Sequence, residues 1–421
     1  MKFFADLHLH SRYSRATSKY CTVPTLRKWA QIKGINVLGT GDFTHPAWLQ
    51  ELRESLTEEE PGFFRLKESP PPLPPIDISP HPIEVRFVLT AEIACIYRKG
   101  GRIRKNHSVL LVPGFDSAAK INSRLEKITN LASDGRPILK LDVRDLLEIA
   151  LENAPDSLLI PAHVWTPWFS LFGYKSGFDS IEECFGDLSG HIVALETGLS
   201  ADPRMMRLVS ALDRFSLVSS SDSHSPANIG REATIFDTEF SYDGIRKSLT
   251  ENSVSGTVEF FPEEGKYFSS GHRKCNYRVD RLPFNSHRSI CPVCQKPLTT
   301  GVMDRVNELA DRTAVPDSCR LDYFSTISLR DIVGQILRVG SKSKGVTRRY
   351  AELIGLFGSE FDILLKRPID EISHRYSPIL AEAIERIRKG RIEKQPGFDG
   401  KYGTISIFSE REINSFPRKP I

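Results

Sequence analysis

Histidines and carboxylates stand at or near the ends of short apolar runs along this chain. They are Asp6, His8 and His10, then Asp42, Glu92, His107, His163, Glu196, and finally Asp222 with His224. Asp6, His8 and His10 fall at alternate positions, so on a strand all three project from one face. Three ionisable groups on one strand face are costly to bury without a partner. Neutral imidazole and carboxylate at that spacing can instead converge on one divalent ion. Taken singly, a histidine at a strand end is more often a hydrogen-bonded structural residue than a ligand. Gathered at one mouth, these residues describe a multi-metal centre in which a bridging carboxylate such as Glu92 holds two ions. Such a centre lowers the pKa of a water, holds an anionic substrate oxygen and stabilises a leaving oxygen. That is the equipment for phosphoester hydrolysis.

A second cluster reads GHRKCNYRVDRLPFNSHRSICPVCQKPLTTGV. Cys291 and Cys294 make a tight knuckle, and His272-Arg-Lys-Cys275 mirrors its spacing. HxxC followed by CxxC across 15 intervening residues matches a closed tetrahedral site for one structural Zn²⁺. The expected ligands are His272, Cys275, Cys291 and Cys294, with Cys319 or His287 as alternatives to His272. Closed zinc sites fold small loops rather than catalyse. Arg273, Lys274, Arg278, Arg281 and Arg288 add a capacity for phosphate contact.

The elements that must position these groups alternate. Apolar runs at 3–7, 35–40, 84–92, 107–112, 157–163, 191–196 and 215–222 read as strands, with helical patterns at 23–34, 143–154 and 202–215 between them. That alternation predicts a largely parallel sheet, closed or nearly closed into an α/β barrel with chemistry at the carboxyl ends of its strands. EIACIYRKGGRIRKNHSVLLV reads as a hairpin turning at Gly100-Gly101. Its register sets Glu92 opposite Val109 and His107 diagonally across from Glu92 on the same face. Residues 55–82 hold eight prolines and read as an irregular or polyproline surface insertion without chemistry. The expected units are a barrel over 1–262, a zinc-binding unit over 263–325, and a helical, basic unit over 326–421.

The chain of 421 residues is 40% hydrophobic and 26% charged, as in a soluble globular protein. It has no apolar run long enough to span a bilayer, and no basic-then-apolar start that would read as a secretory signal. Seven cysteines with a single CxxC pair fit a reducing compartment and a metal site better than a disulfide framework. The expected location is cytoplasmic and nucleoid-associated. Residues 263–421 carry 28 Lys and Arg against 20 Asp and Glu, while 1–262 carry 29 against 33. An acidic segment joined to a basic one suggests a metal-holding unit beside a polyanion-binding unit.

DLHLH, TGD, TAE, NHSVLLV, PAH and SSDSH stand in the order of the motifs of the polymerase-and-histidinol-phosphatase (PHP) superfamily, which this chain resembles. The resemblance implies a distorted seven-stranded α/β barrel with two or three divalent ions (Zn²⁺, Mn²⁺ or Mg²⁺) in its active site. It assigns His8 and His10 to a first ion, with Glu92 bridging and Asp222 closing the shell. It assigns His107 and His163 to a second ion, and makes Asp42 and His224 candidates for a third. The chain departs from the superfamily pattern in reading Asp42-Phe43 for Asp-His, and in placing Arg12, Arg15 and Ala16 where a further ligand follows HxH. His45 is the candidate substitute, and Arg12 and Arg15 become candidate grips on DNA phosphate. Asp6 becomes a partner that orients one of the imidazoles.

A PHP barrel followed by a zinc knuckle and a basic helical tail resembles the endonuclease Q family. PAHVWTPWF, GHRKCNYR, CPVCQKPLTTGV, RVNELADR and PGFDGKYG carry that resemblance. It implies cleavage of DNA on the 5′ side of deaminated bases (uracil, hypoxanthine, xanthine) and abasic sites, leaving 3′-hydroxyl and 5′-phosphate ends. Asp222 and Glu92 would position the ions for in-line attack on phosphorus. Trp165, Trp168 and Phe169, in the loop that starts at His163, would stack on a nucleotide or pack the loop on the barrel. SKSKGVTRR, with Arg348 and Arg349, and RIRKGR could track phosphates. A sliding clamp is a candidate partner, with the terminal REINSFPRKPI as its weak candidate peptide; no membrane partner is expected. The runner-up is a PHP-type phosphatase acting on a small phosphate monoester, which leaves the zinc knuckle and basic half without a purpose. An amidohydrolase also begins with HxH, but usually ends its ligand set with a lone Asp. A non-catalytic nucleic-acid-binding module should have lost ligands that are intact here.

Overall fold

In a computed structural model the chain is described over residues 1–68, 78–79, 82–279 and 290–416. Strands β1 (Lys2–Asp6), β2 (Val37–Gly39) and β3 (Arg86–Lys99) are parallel neighbours, pairing Ala5 with Val37 and Leu38 with Phe87. β4 (Arg102–Val112) returns antiparallel to β3 through Gly100-Gly101, and Glu92 faces Val109 as the turn predicts. β5 (Leu158–Pro161) pairs antiparallel with β4. β6 (Ala194–Glu196) and β7 (Ser216–Val218) form a separate parallel pair. The ring is completed by single contacts rather than ladders. Val164 N–H donates to Glu196 O, and Leu9 bridges Ser223. β8 (Ala233–Asp237) and β9 (Gly256–Phe260) extend the sheet antiparallel from β1, and β10 (Tyr323–Thr326) joins β9 in parallel. The architecture is mixed α/β as expected, but the antiparallel pairs β3–β4, β4–β5, β1–β8 and β8–β9 replace the largely parallel sheet that the alternation predicts.

Side-chain alternation sorts the core. Phe3, Ala5, Val88, Val109, Ile160 and Val218 belong to one buried cluster inside the ring. Phe4 lies in the other, packed on Phe361 of the C-terminal helices. Two expectations about local structure change here. Leu56–Glu60 and Phe63–Leu66, at the start of the Pro-rich segment, form a hairpin on the sheet edge with Phe64 opposite Phe87. Burial of Phe63 and Phe64 on both faces of that strand outweighs the surrounding turn composition. Residues 69–77 and 80–81 of that segment lie outside the described residues. The pattern at 202–215 is not one helix but Pro203–Met206 and a short turn at Ser210–Leu212. Arg207, buried between them, donates to Leu212 O and Phe215 O and so ties the following turn back onto the short helix.

The C-terminal helices start where the sequence supplies caps. Ser328, Ser343, Ser377 and Ser409 each accept an N–H from the first turn of the helix that follows. A buried ion pair, Lys33 Nζ to Glu360 Oε2 at 2.7 Å, helps to fasten these helices to the barrel. Tyr350 and the Leu329 N–H also bond Glu360, at 2.5 and 2.9 Å. No helix among the described residues is long and apolar enough to cross a membrane.

Candidate metal centre

Regular pairing of β1 stops at Asp6, and only beyond it do His8 and His10 turn to the mouth of the barrel. Asp6 does not share their task. Its two oxygens accept the Ser221 and Gly230 N–H groups at 3.0 and 2.9 Å, which anchors the segment that carries Asp222. The expectation that Asp6 orients an imidazole is therefore corrected. Glu196 and Asp42 do that work. His8 Nδ1 bonds Glu196 Oε1 at 3.0 Å, and His10 Nδ1 bonds Asp42 Oδ1 at 3.0 Å. With Nδ1–H donating to a carboxylate, each ring presents Nε2 as an acceptor.

Those two nitrogens converge with Glu92 and Asp222. His10 Nε2 lies 3.2 Å from Glu92 Oε2 and 3.2 Å from Asp222 Oδ1; His8 Nε2 lies 3.6 and 3.7 Å from the same atoms. On the other side of the same carboxylate, Glu92 Oε1 is 2.5 Å from His107 Nδ1 and 3.2 Å from His163 Nε2. Because β4 runs antiparallel, its first residues lie at the carboxyl ends of its neighbours, which is how His107 reaches the mouth. Two donor sets thus share Glu92: His8, His10, Glu92 and Asp222, and Glu92, His107 and His163. Burial opposes charge on Glu92 and Asp222, yet the surrounding histidines hold both carboxyls below their usual range.

The donors fit divalent ions. His8 Nε2 is buried and has no hydrogen-bond partner, a costly vacancy for a polar atom unless a cation takes its lone pair. Asp42, His163 and Asp222 hold positive φ angles of 52°, 30° and 45°, which the strand-end turns impose. Non-glycine residues in that region store strain of order 1 kcal/mol each, a cost typical of functional sites. Asp42 and His224, expected at a third ion, enter neither donor set. Asp42 is consumed by His10 and by the Ser11 N–H and hydroxyl, at 2.7 and 2.6 Å. His224 Nδ1 lies 3.0 Å from Asp222 O and its ring packs tilted against that of His10, with centroids 4.4 Å apart. His45 packs on Tyr13 at 4.5 Å and joins neither set. One participant escaped the sequence reading altogether: Arg136, whose NH1 lies 3.1 Å from Glu92 Oε2.

A cavity of about 540 Å³ opens beside this centre, bounded by His163, Asp222 and His224 and walled by Trp168, Tyr267 and Tyr402. Far from it in sequence, His272, Cys275, Cys291 and Cys294 bring one donor atom each within 4.8 Å of one another. Burial opposes it, but the Cys294 and Val293 N–H groups and His272 pull the Cys291 thiol down to about 7, suited to a thiolate ligand. Cys319 lies elsewhere, bonded to Asp213 Oδ2 at 3.3 Å, so it is not the fourth donor; His287 lies outside the described residues.

Comparison with known proteins follows this geometry along the whole chain. The crystal structure of the lesion-specific endonuclease PfuEndoQ from Pyrococcus furiosus superposes with a TM-score of 0.83 at 31% identity, covering 99% of this chain and 100% of that one. The chain belongs to the endonuclease Q family. A second structure, endonuclease Q with a 27-mer duplex bearing an abasic lesion at the active site, gives a TM-score of 0.84 at 31% identity over 100% and 99% of the two chains. Residues 328–391 match the family described as MJ0043 C-terminal domain. The uncharacterized protein MJ0043 of Methanocaldococcus jannaschii is 32% identical over 251 residues, 58% of this chain; the chain covers 31% of that longer protein. Membership in the endonuclease Q family makes this chain a metal-dependent nuclease, a hydrolase of phosphodiesters.

The residues expected at DNA in this family member separate by exposure. Trp165 is a core residue and not a DNA contact: it is buried, donates its indole N–H to Met206 Sδ, and packs on Phe172. Trp168 is exposed, sits edge-on to Tyr267 at 5.4 Å and walls the cavity. Phe169 packs against the His107 ring at 4.7 Å. Arg12 pairs with Glu51 at 2.8 Å, while Arg15 leaves most of its side chain in solvent beside Asp134. Arg273 and Lys274 are exposed at the zinc knuckle. Arg348 is exposed; Arg349 is tied to Glu352 at 2.8 Å. Arg281, Arg288 and the last five residues of REINSFPRKPI lie outside the described residues.

Proposed function

We propose that this chain cuts DNA at the phosphodiester 5′ to deaminated bases (uracil, hypoxanthine, xanthine) and to abasic sites, leaving 3′-hydroxyl and 5′-phosphate ends. The observation that carries the reading is the pair of donor sets joined through Glu92 at the edge of an aromatic-walled cavity. His8, His10, Glu92 and Asp222 would hold one divalent ion, and Glu92, His107 and His163 a second; His272, Cys275, Cys291 and Cys294 would hold a structural Zn²⁺. When bound, the catalytic ions supply Lewis acidity that activates water and neutralises phosphate charge.

The protein does the rest. Glu196 and Asp42 keep His8 and His10 in the tautomer that presents Nε2. Asp222 and Glu92 carry the negative charge that fixes the cations. His224, with Nδ1–H given to Asp222 O, keeps Nε2 free to accept a proton. A base inside a duplex must leave the stack to be inspected, and deaminated bases pair poorly, so extruding them is cheaper. Trp168 and Tyr267 offer π-faces for the displaced nucleotide. Arg273, Lys274 and Arg348 face solvent as phosphate contacts, and a sliding clamp remains a partner suggested by the terminal peptide alone.

The test uses end-labelled duplexes carrying a single uracil, hypoxanthine or abasic site, with Mg²⁺, Mn²⁺ or Zn²⁺ added. A nick immediately 5′ to the lesion supports the reading. Release of phosphate from small monoesters, with intact DNA, would replace it by a phosphatase.

A further inference from the structure

The loop Asp134-Gly135-Arg136-Pro137 is fastened onto the mouth from both sides. Gly135 N–H donates to Tyr13 O at 3.0 Å, Thr44 Oγ1 donates to Gly135 O at 3.3 Å, and Ala94 N–H donates to Pro137 O at 3.0 Å. Gly135 lies so close to Asp42 and Ser14 that a Cβ there would stand 2.5 Å from Asp42 Oδ2 and from Ser14 Oγ. Only glycine permits that approach. The loop therefore seals the side of the centre where Asp42 stands, and it delivers Arg136 in place of any further ligand.

Arg136 NH1 lies 3.1 Å from Glu92 Oε2, the carboxylate shared by both donor sets. A guanidinium has five N–H donors in a fixed fork. One is spent on Glu92, the side chain keeps 31% of its surface, and no other side-chain bond is recorded for it among the described residues. Arg305, which is buried further, spends its donors on Phe172 O, Phe178 O, Asp179 and Glu308. Arg136 holds its donors in reserve beside the cationic centre.

We propose that Arg136 is a catalytic residue: its free N–H groups bind a non-bridging oxygen of the scissile phosphodiester and stabilise the charge that develops there as the in-line displacement proceeds. The centre then works with two ions and one fixed guanidinium. Delocalised, planar and permanently charged, that group suits phosphate geometry better than an ammonium does. The assignment rests on the phosphodiesterase reading of the same site.

The experiment compares wild type, Arg136→Lys and Arg136→Ala on uracil-containing duplex and on bis(p-nitrophenyl) phosphate, a diester without a base. Each protein is also loaded with Mn²⁺, desalted and assayed for bound metal. The expected result is a loss of about 100-fold in kcat for Arg136→Ala on both substrates, with unchanged metal content. Added guanidinium ion should restore part of that activity, which a merely structural role would not allow. Arg136→Lys should recover less than the wild-type rate. Wild-type kcat in Arg136→Ala, or a wild type that loads three Mn²⁺ besides its zinc, overturns the assignment while leaving the nuclease reading intact. A folded wild type that cuts neither diester overturns both. Loss of metal together with activity in both variants would make Arg136 a scaffold for Glu92 and overturn the proposal as well.

Discussion

Two clusters of buried charge in this molecule are built on opposite principles. Where the C-terminal helices meet the barrel, Lys33, Glu360 and Tyr350 satisfy one another, and none of them keeps an unpartnered atom among the described residues. At the mouth, His8 Nε2 is buried with no partner, three residues hold positive φ, and Arg136 withholds most of its donors. Both clusters carry a full desolvation cost. The first recovers it inside the protein, which makes it glue. The second can recover it only from something that arrives, cation or phosphate, which makes it a site. Unsatisfied polarity, more than the count of histidines and carboxylates, separates the two.

The strongest way to break this comparison is at the mouth. Asp222→Asn removes a charge from one donor set while keeping its shape. Cleavage of lesion-bearing DNA should fall on the order of a thousandfold. Binding of the same DNA, read by fluorescence anisotropy, should change little. Appreciable cutting by the variant would remove Asp222 from the centre. The opposite pattern is expected at the interface. Glu360→Ala leaves Lys33 buried and alone, at a cost of about 3–5 kcal/mol. Thermal unfolding should shift clearly downward, while the cleavage rate per folded molecule stays near wild type.

The two clusters were not equally legible in the sequence. The glycine pair at 100–101 fixes the hairpin register, so the diagonal contact of Glu92 and His107 follows from counting. Strand-end histidines reveal themselves by residue type and position. Asp6 misled, because alternation holds only while the strand does, and regular pairing of β1 ends at that residue. Trp165 and Trp168 stand three residues apart in one loop, and composition cannot tell which one turns inward. Arg136 belongs to a Gly-Arg-Pro turn 44 positions from the carboxylate it meets. No periodicity links them; the tertiary approach of Gly135 to Asp42 does. The Lys33–Glu360 pair joins residues more than 300 positions apart and has no sequence signature at all.

A smaller effect sharpens the line between donor and orienter. Glu196 touches His8 and the His163 N–H but belongs to neither donor set. Glu196→Gln should keep the fold and the bound lesion DNA, yet weaken metal affinity by roughly 10–100-fold, read as a higher Mn²⁺ requirement for cleavage. Saturating Mn²⁺ should then recover most of the rate. Irreversible loss at all metal concentrations would instead make Glu196 a ligand.

The smallest expected effect lies in the pH dependence of the interface. Burial works against charge on Glu360, but Lys33 and the Tyr350 hydroxyl outweigh it and hold the carboxyl below its ordinary value of 4.5. A depressed carboxylate binds fewer protons folded than unfolded, so its stabilisation is complete above about pH 4.5 and drains away as pH falls through the folded value. Wild type should therefore lose stability in that acid range more steeply than Glu360→Gln, which has no proton to gain. The difference in denaturant midpoint between the two proteins should be constant from pH 5 to 7 and shrink below pH 4.5. Metal ligands titrate in both proteins alike and cancel in that difference, leaving the interface carboxylate as its source. A gap that widened on acidification would mean that Glu360 is protonated in the folded protein, and the ion pair with Lys33 would lose its role as the bolt between barrel and helices.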